Sequence, residues 1–487
     1  MSESSTQPER GGSNLKASTV HVRLVFALVI AAAFLDIVDF SIIQVAIPTI
    51  RTEFLVSLAD IQWVVGAYGL TLAGFLLLSG RAGDIYGQKK LFIIGVSLFS
   101  AASLTGGLSP SLLFLVVSRA IQGVGAAIST VTALAIFAQI FPEGKERNKA
   151  LGVLVAVLSA GFAAGSILGG VLTAAFGWRS VMFVNVPIGI ATTVLSVKFL
   201  PRTGGQMRNG RLDLIGGLSV TGGTMLFVFA LTNAANFGYS SVLALIPLVL
   251  SIIILIGFLI IESRSKAPLM PLEFLRRGTI LVANMLGLIV AAASGGLGFI
   301  LTIYLQQILG YSALFSGLAF LPAAIVFLVV GGWGAAWFVN RFGVKRVLLL
   351  SMALVVLGNA LLTQISATGN VFGIEPGMIF WSLGASIGFP ALFIVALSGT
   401  KPGEEGLASG LITTSQRVGF PLGLAVLVAI ASLVSPQPIG DGSSSLAVVE
   451  GFRYAFVAAA ILSGIGLMIA FRIKEPKNPD IVTKGSS

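Results

Sequence analysis

Gly80-Arg-Ala-Gly-Asp84-Ile-Tyr-Gly87-Gln-Lys89-Lys90 ends one long apolar stretch and opens the next. A similar segment, Ala336-Trp-Phe-Val-Asn340-Arg-Phe-Gly343-Val-Lys345-Arg346, returns 256 positions later. A second pair, Ala150-Leu-Gly152 and Ala408-Ser-Gly410, recurs at an offset of 258. Two matches at nearly one offset predict a parallel internal repeat, the kind whose halves are related by an axis along the membrane normal.

Composition names the solvent of these halves. Of 487 residues, 56% are hydrophobic and only 10% charged, whereas a soluble chain carries about 25% charged residues. Mean hydropathy is +0.99. Apolar runs recur from end to end, each long enough to cross about 30 Å of hydrocarbon as a helix. A helix satisfies its own backbone polar groups, as lipid demands, so the expected class is an all-α membrane protein.

Fourteen spans are expected. Six of them fill 24–200, two lie at 212–232 and 241–261, and six more run from 280 to 472. The repeat offset counts helices too: adjacent six-helix halves would be offset by roughly 190 residues, and the surplus fits two further helices of about 20 residues each with their loops. The expected organisation is a disordered cytoplasmic tail (1–23), an N-terminal six-helix half (24–200), two additional helices with cytoplasmic linkers (201–279), a C-terminal six-helix half (280–472) and a tail (473–487).

The net charge of +11 reads as topology, not as affinity for nucleic acid. Basic residues such as Lys89, Lys90, Lys145, Arg147, Lys345 and Arg346 crowd the loops on the side of the termini, while the other side carries little beyond Arg51, Arg179 and Arg453. The positive-inside rule then places both termini in the cytoplasm. With no Cys and a single His21 ahead of the first span, thiolate metal sites, disulfides and His-based triads are excluded. No Gly-rich loop ending in Lys-Ser/Thr suggests nucleotide hydrolysis.

Several further motifs carry a resemblance. Asp39-Phe-Ser41-Ile-Ile-Gln44-Val-Ala-Ile-Pro48 lies in the first span, Arg119-Ala-Ile-Gln122-Gly123-Val-Gly125 in the fourth, and Gly152, Gly161, Gly165, Gly169 and Gly170 follow one another down the fifth. Gly177-Trp-Arg179 and Asn185-Val-Pro187 lead into the sixth. Together with the Gly80–Lys90 loop, this set resembles the major facilitator superfamily, specifically its 14-helix drug:proton antiporter family. The resemblance covers nearly the whole chain. It implies two six-helix halves, alternating access, and efflux of amphipathic, cationic drugs or toxic compounds from a prokaryotic cell. The proton motive force would be the energy source, with no cofactor, no metal and no catalytic residue, and the protein would work as a monomer in the cell membrane. Ser166 departs from the motif's Pro, Ser41 and Gln44 from its Thr and Asn, and Ile85 and Gln88 from the loop's Arg.

The residues support specific expectations. Asp36 and Asp39 are three apart, on one helix face, deep where a carboxylate costs on the order of 3 kcal/mol unless it meets a cavity or a partner. Asp39 is expected to exchange a proton for substrate, since desolvation raises a carboxyl pKa and a nearby cation lowers it; Asp36 is a candidate second site for a proton or a cation. Arg119 lies at a similar depth, about 10 Å from the outer face against about 13 Å for Asp39, so pairing is possible. Gly80, Asp84, Gly87 and Lys89 form a loop expected to act in conformational switching, Asp84 meeting a neighbouring helix N-terminus. Gly152, Gly161, Gly165, Ser166, Gly169 and Gly170 form a small-residue stripe for close helix contact. Candidate cavity residues are Gln44, Trp63, Tyr68, Gln122, Asn284, Tyr304 and Trp381, beside Trp333, Trp337 and Phe389; aromatic residues in spans also serve as packing or interface anchors. Arg417, in the thirteenth span, has no partner that the sequence identifies. A dedicated exporter of one endogenous metabolite or antibiotic, and a non-transporting membrane sensor, stay open beside the broad-exporter reading.

Overall fold

The computed structural model describes residues 11–141, 145–201, 213–265, 272–275, 277–398, 400, 404–434 and 445–473. The first group of helices is α1 (Gly11–Phe54), α2 (Leu58–Ile61), α3 (Trp63–Tyr86), α4 (Gln88–Gly107), α5 (Leu112–Ile140), α6 (Lys145–Phe176), α7 (Arg179–Phe183) and α8 (Asn185–Phe199). α9 (Leu214–Phe237) and α10 (Val242–Arg264) form an antiparallel pair, and the short α11 (Leu272–Leu275) follows. The second group is α12 (Gly278–Gly295), α13 (Leu297–Ile303), α14 (Ala313–Ala319), α15 (Leu321–Val329), α16 (Ala335–Phe342), α17 (Val344–Leu362), α18 (Glu375–Ser398), α19 (Glu405–Val434) and α20 (Ser445–Ala470).

Local chemistry sets the boundaries. Ser111 and Asp213 cap α5 and α9 by accepting backbone N–H bonds from Phe114 and Gly216, which satisfies donors the first turn cannot pair internally. The two repeated loops have one geometry. Gly87 (φ +95°) ends α3 and Gly343 (φ +81°) ends α16, and the next helix begins at the following residue in both. A side chain at either φ would be strained, which explains why glycine stands in both copies.

Twelve helices among the described residues are long and apolar enough to cross a membrane, so the expected count of fourteen is not confirmed. The fifth and tenth expected spans are present as the shorter apolar helices Ala160–Phe176 and Ala313–Val329. In the fifth, α6 runs on toward Lys145 through the charged stretch Lys145-Glu-Arg-Asn-Lys149. In the tenth, Val330–Gly334 adopts a π-helical turn that interrupts the regular hydrogen bonding. α1 is described from Gly11, and its membrane-spanning part from Val22. Residues 11–23 contain no proline, and an established helix propagates through them at one hydrogen bond per residue. Residues 1–10, the linkers 202–212 and 266–271, and the tail 474–487 lie outside the described residues.

α9 packs on α10 and rests against both α3 and α19. Thr232 of α9 accepts hydrogen bonds from Gln62 (3.2 Å) and from Trp63 Nε1 (3.1 Å). Farther along, Tyr239 donates to the carbonyl of Ala429 in α19 (3.2 Å). At the bundle end carrying Phe54 and Ile308, the two groups of helices meet directly. Arg51 donates to Gln307 (2.6 Å), and Gln306 to the carbonyl of Val45 (2.9 Å). Gly170 and Gly317 complete that contact: a Cβ on Gly170 would stand 2.6 Å from Cα of Leu314, and one on Gly317 2.4 Å from the carbonyl oxygen of Ser166.

Candidate functional site

α1 divides its faces. Ile37, Phe40, Ser41, Gln44 and Val45 follow helical spacing and line an internal cavity of about 490 Å³. Asp39 falls roughly opposite that stripe at 3.6 residues per turn, and Asp36 at its flank.

Asp39 is fully buried, and both its oxygens are engaged. Oδ2 pairs with Arg119 Nη1 at 2.6 Å. Oδ1 accepts from Gln122 Nε2 (2.8 Å) and from Asn185 Nδ2 (2.7 Å). Arg119 is itself fully buried; its Nε donates to the carbonyl of Val64 (2.9 Å) and its Nη1 to Gln122 Oε1 (2.7 Å). This is the arrangement a buried charge needs, since a lone carboxylate in apolar surroundings would be neutralised.

Tyr68 extends the centre. Its ring lies under the Arg119 guanidinium, 4.3 Å from centroid to Cζ, and its hydroxyl donates to Asp36 Oδ1. The other oxygen of Asp36 pairs with Arg417 Nη2 of α19 at 3.3 Å. Asp39, Arg119, Tyr68, Asp36 and Arg417 therefore form one chain of contacts leading from the interior of the first helix group to the second. Two carboxylates meet two guanidiniums, so the fixed charges of the chain balance.

The cavity lies on the other side of α1. α18 contributes Met378, Trp381, Ser382, Ser386, Phe389 and Phe393, while Phe162 and Ser166 come from α6 and Phe420 from α19. Among the described residues, no charged one lines it.

The expected site residues distribute as follows. Gln44 and Trp381 line the cavity. Tyr68 and Gln122 belong instead to the carboxylate centre. Trp63 docks α9; Asn284 donates to the carbonyl of Ile280 and accepts from Ser415; and Tyr304 donates to the carbonyl of Ser366. Each of these polar tips finds a protein partner away from the cavity, as buried polar groups must. Phe389 lines the cavity, Trp337 is exposed on the outer surface, and the Trp333 side chain lies outside the described residues.

The small-residue stripe packs on α1. A Cβ on Gly161 would stand 2.5 Å from Ile37 Cγ2, one on Gly165 1.9 Å from Ser41 Oγ, and one on Gly169 2.8 Å from the carbonyl of Ile42. Ser166, where the motif has Pro, keeps α6 regular and donates to the carbonyl of Phe162 (3.1 Å). Gly152 is helical, but its surroundings lie outside the described residues.

The expected loop is helical apart from Gly87: Asp84, in the last turn of α3, accepts from the Gln88 side chain (3.0 Å) at the first position of α4. Lys89 donates to the carbonyls of Val197 (2.9 Å) and Leu200 (2.6 Å) at the end of α8, where a helix favours a cation. Gly80 faces Val131 of α5, a Cβ there standing 3.2 Å from Cγ1.

Asn185 and Ser103 escaped sequence reasoning as parts of the carboxylate centre. Asn185 also donates to Ser103 Oγ (3.2 Å), which donates to the carbonyl of Met182 (2.8 Å). The motif Asn185-Val-Pro187 was the available signal. Among the described residues, no group of three or more His, Cys, Asp or Glu side chains is arranged to hold a metal ion.

An apolar helix bundle that encloses a cavity beside a buried acid–guanidinium centre has the architecture of a membrane transport protein. The family model for the Major Facilitator Superfamily matches residues 29–424, and the chain belongs to that superfamily. It is 34% identical over 477 residues to the cephamycin export protein CmcT of Amycolatopsis lactamdurans, covering 96% of this chain and 94% of the relative. It is 34% identical to the puromycin resistance protein pur8 of Streptomyces alboniger, with 91% and 89% covered. It is 31% identical to the multidrug resistance protein Stp of Mycobacterium tuberculosis, with 81% and 73% covered. Among solved structures, the peptide transporter POT superposes with a TM-score of 0.67 at 16% identity, covering 92% of this chain and 94% of that one. The human organic anion transporter MFSD10 gives 0.60 at 16% identity, with 92% and 99% covered. These two likenesses concern the fold alone.

Proposed function

We propose that the protein is a proton-coupled antiporter that exports amphipathic, antibiotic-like compounds across a prokaryotic cell membrane. The observation that carries this reading is the sealed Asp39–Arg119 pair, a buried ionisable centre on the same helix that lines the cavity. A carboxylate held among donors and desolvated from water is a group whose proton affinity changes when those donors move. Arg119 and Gln122 ride on α5 and Asn185 on α8, so a rearrangement of the first helix group changes what Asp39 is bonded to. Asp36 and Arg417 carry that change to α19. The names of the relatives, which describe cephamycin export, puromycin resistance and multidrug resistance, support export of antibiotic-like molecules.

The same reading takes the chain as two six-helix halves, 24–200 and 280–472, with the α9–α10 pair between them and both termini in the cytoplasm. The end closed by Arg51–Gln307 and Gln306–Val45 is then the outer end. Gly80, Asp84, Gly87 and Lys89, around the α3–α4 turn, form the cytoplasmic switching segment, and Gly161, Gly165 and Gly169 the smooth contact on which α1 and α6 shift. The transport cycle uses the proton gradient, no cofactor and a single copy of the chain. Reconstitution into liposomes with an imposed pH gradient tests the proposal. Gradient-driven solute accumulation should disappear in Asp39→Asn while the variant still folds; retained accumulation refutes the assignment of Asp39. A dedicated exporter of one compound is the second reading, favoured by the CmcT likeness over nearly full length. Substrate breadth in the same liposomes separates the two.

A further inference from the structure

The cavity and the carboxylate centre are separate compartments, and their chemistry differs. Seven Phe side chains and Trp381 face the cavity, and among the described residues its polar lining consists of neutral side chains: Gln44 and serines. The serine hydrogens are already used. Ser166 donates to the carbonyl of Phe162, Ser294 to that of Val290, Ser382 to that of Ala323 and Ser386 to that of Leu383. Ser41 donates within its own helix, and Trp381 Nε1 donates to Ser294 Oγ at 3.1 Å. What remains toward the cavity is aromatic surface, hydroxyl lone pairs, which accept hydrogen bonds, and the Gln44 amide, whose Nε2 donates to the carbonyl of Phe40 at 3.4 Å and whose oxygen accepts.

Neither acid is placed to receive a cation. Asp39 and Asp36 are absent from the lining, and all four carboxylate oxygens are held by Arg119, Gln122, Asn185, Tyr68 and Arg417. A permanent cation brought into the cavity would lose its water and find no counter-charge. Aromatic faces attract cations, but the same faces accept a neutral ring without the desolvation cost. A volume of about 490 Å³ suits a drug-sized molecule.

From these observations we infer that the cavity selects uncharged aromatic solutes bearing hydroxyl or amide hydrogen-bond donors, and that proton and solute occupy different sites. The inference rests on the antiport reading for its energetics and on the cavity lining for its specificity. It replaces the cationic substrates expected from sequence. It also fixes a sign. Exchanging a neutral solute outward for a proton inward moves one positive charge per proton, so transport responds to membrane potential as well as to the pH gradient.

The test begins with equilibrium dialysis on the purified full-length protein, using a panel of neutral aromatic amides and alcohols headed by chloramphenicol against permanent cations of matched size headed by ethidium. The neutral panel should contain ligands that bind at least tenfold more tightly than every cation. Gln44→Glu, which keeps the side chain's shape and adds a charge to the cavity wall, should raise ethidium affinity at least tenfold and weaken the neutral ligands. Equal or better binding of the cations to the unaltered protein, binding by no neutral compound, or indifference to Gln44→Glu overturns the assignment. Liposomes separate the two proposals. A potential imposed without a pH gradient should drive movement of the bound neutral ligand, in the direction that a proton flux would require. Pumping of cations alone overturns the cavity assignment and leaves antiport standing; neutral binding with no response to pH gradient or potential leaves the cavity and overturns antiport.

Discussion

Arg417 Nη2 lies 3.3 Å from Asp36 Oδ2, an ion pair between residues 381 positions apart that ties α19 to α1. The arginine side chain is 34% exposed and the carboxylate 7%. An ion pair open to solvent on one side adds at most about 1 kcal/mol to stability. Its larger consequence is mechanical, because the two helices belong to different groups.

Asp36→Asn and Arg417→Gln should therefore each reduce gradient-driven transport by about tenfold, equivalent to roughly 1.4 kcal/mol, with little change in melting temperature. The exchanged double variant, Asp36→Arg with Arg417→Asp, should recover part of the rate. Recovery in neither transport nor inter-helix crosslinking would count against a linking role.

Arg119→Leu leaves Asp39 buried beside two neutral donors. Removing one partner of a buried pair costs about 3–5 kcal/mol. Thermal unfolding in detergent should shift downward strongly for Arg119→Leu and less for the double variant Asp39→Asn with Arg119→Leu. A double variant as unstable as the single one would mean that Arg119 supports the fold through Val64 and Tyr68, not through the carboxylate.

Gly165→Ala would place a methyl group 1.9 Å from Ser41 Oγ and 2.9 Å from the carbonyl oxygen of Val38. Overpacking of this kind costs about 1–3 kcal/mol. Ser41→Ala removes the nearer obstacle and leaves the backbone one, so the pair should restore thermal stability only partly. Full stability of Gly165→Ala alone would show that α1 and α6 can separate freely.

Thr232→Val removes the acceptor of both Gln62 and Trp63. Stranding a buried donor costs about 1–3 kcal/mol. The variant should lose thermal stability, and its tryptophan emission should shift as the Trp63 indole loses its partner. Unchanged emission would place Trp63 in a setting independent of α9.

Apolar length made twelve spans legible, though not the expected fourteen, and the two similar sequence segments each place a glycine at positive φ between two helices, both being matters of local chemistry. Depth along α1 and α5 brought Asp39 and Arg119 to one level, and the structure pairs them. The cavity was harder to read. Lipid-facing and cavity-facing positions are both apolar in a membrane bundle, so periodicity does not separate Phe327 or Phe420 from residues that meet acyl chains. Polar tips were ambiguous in the other direction. Tyr68, Gln122, Asn284 and Tyr304 resembled ligand contacts, yet each satisfies another part of the protein. Arg417 carried a signal, a charge deep in a span, but naming its partner required knowing that α19 faces α1.

Thr221 and Thr232 fasten α9 along α3, the first so closely that a Cβ on Gly74 would stand 1.9 Å from its hydroxyl, while Tyr239 reaches α19. Two helices strapped along one seam cannot part there without tearing that strap.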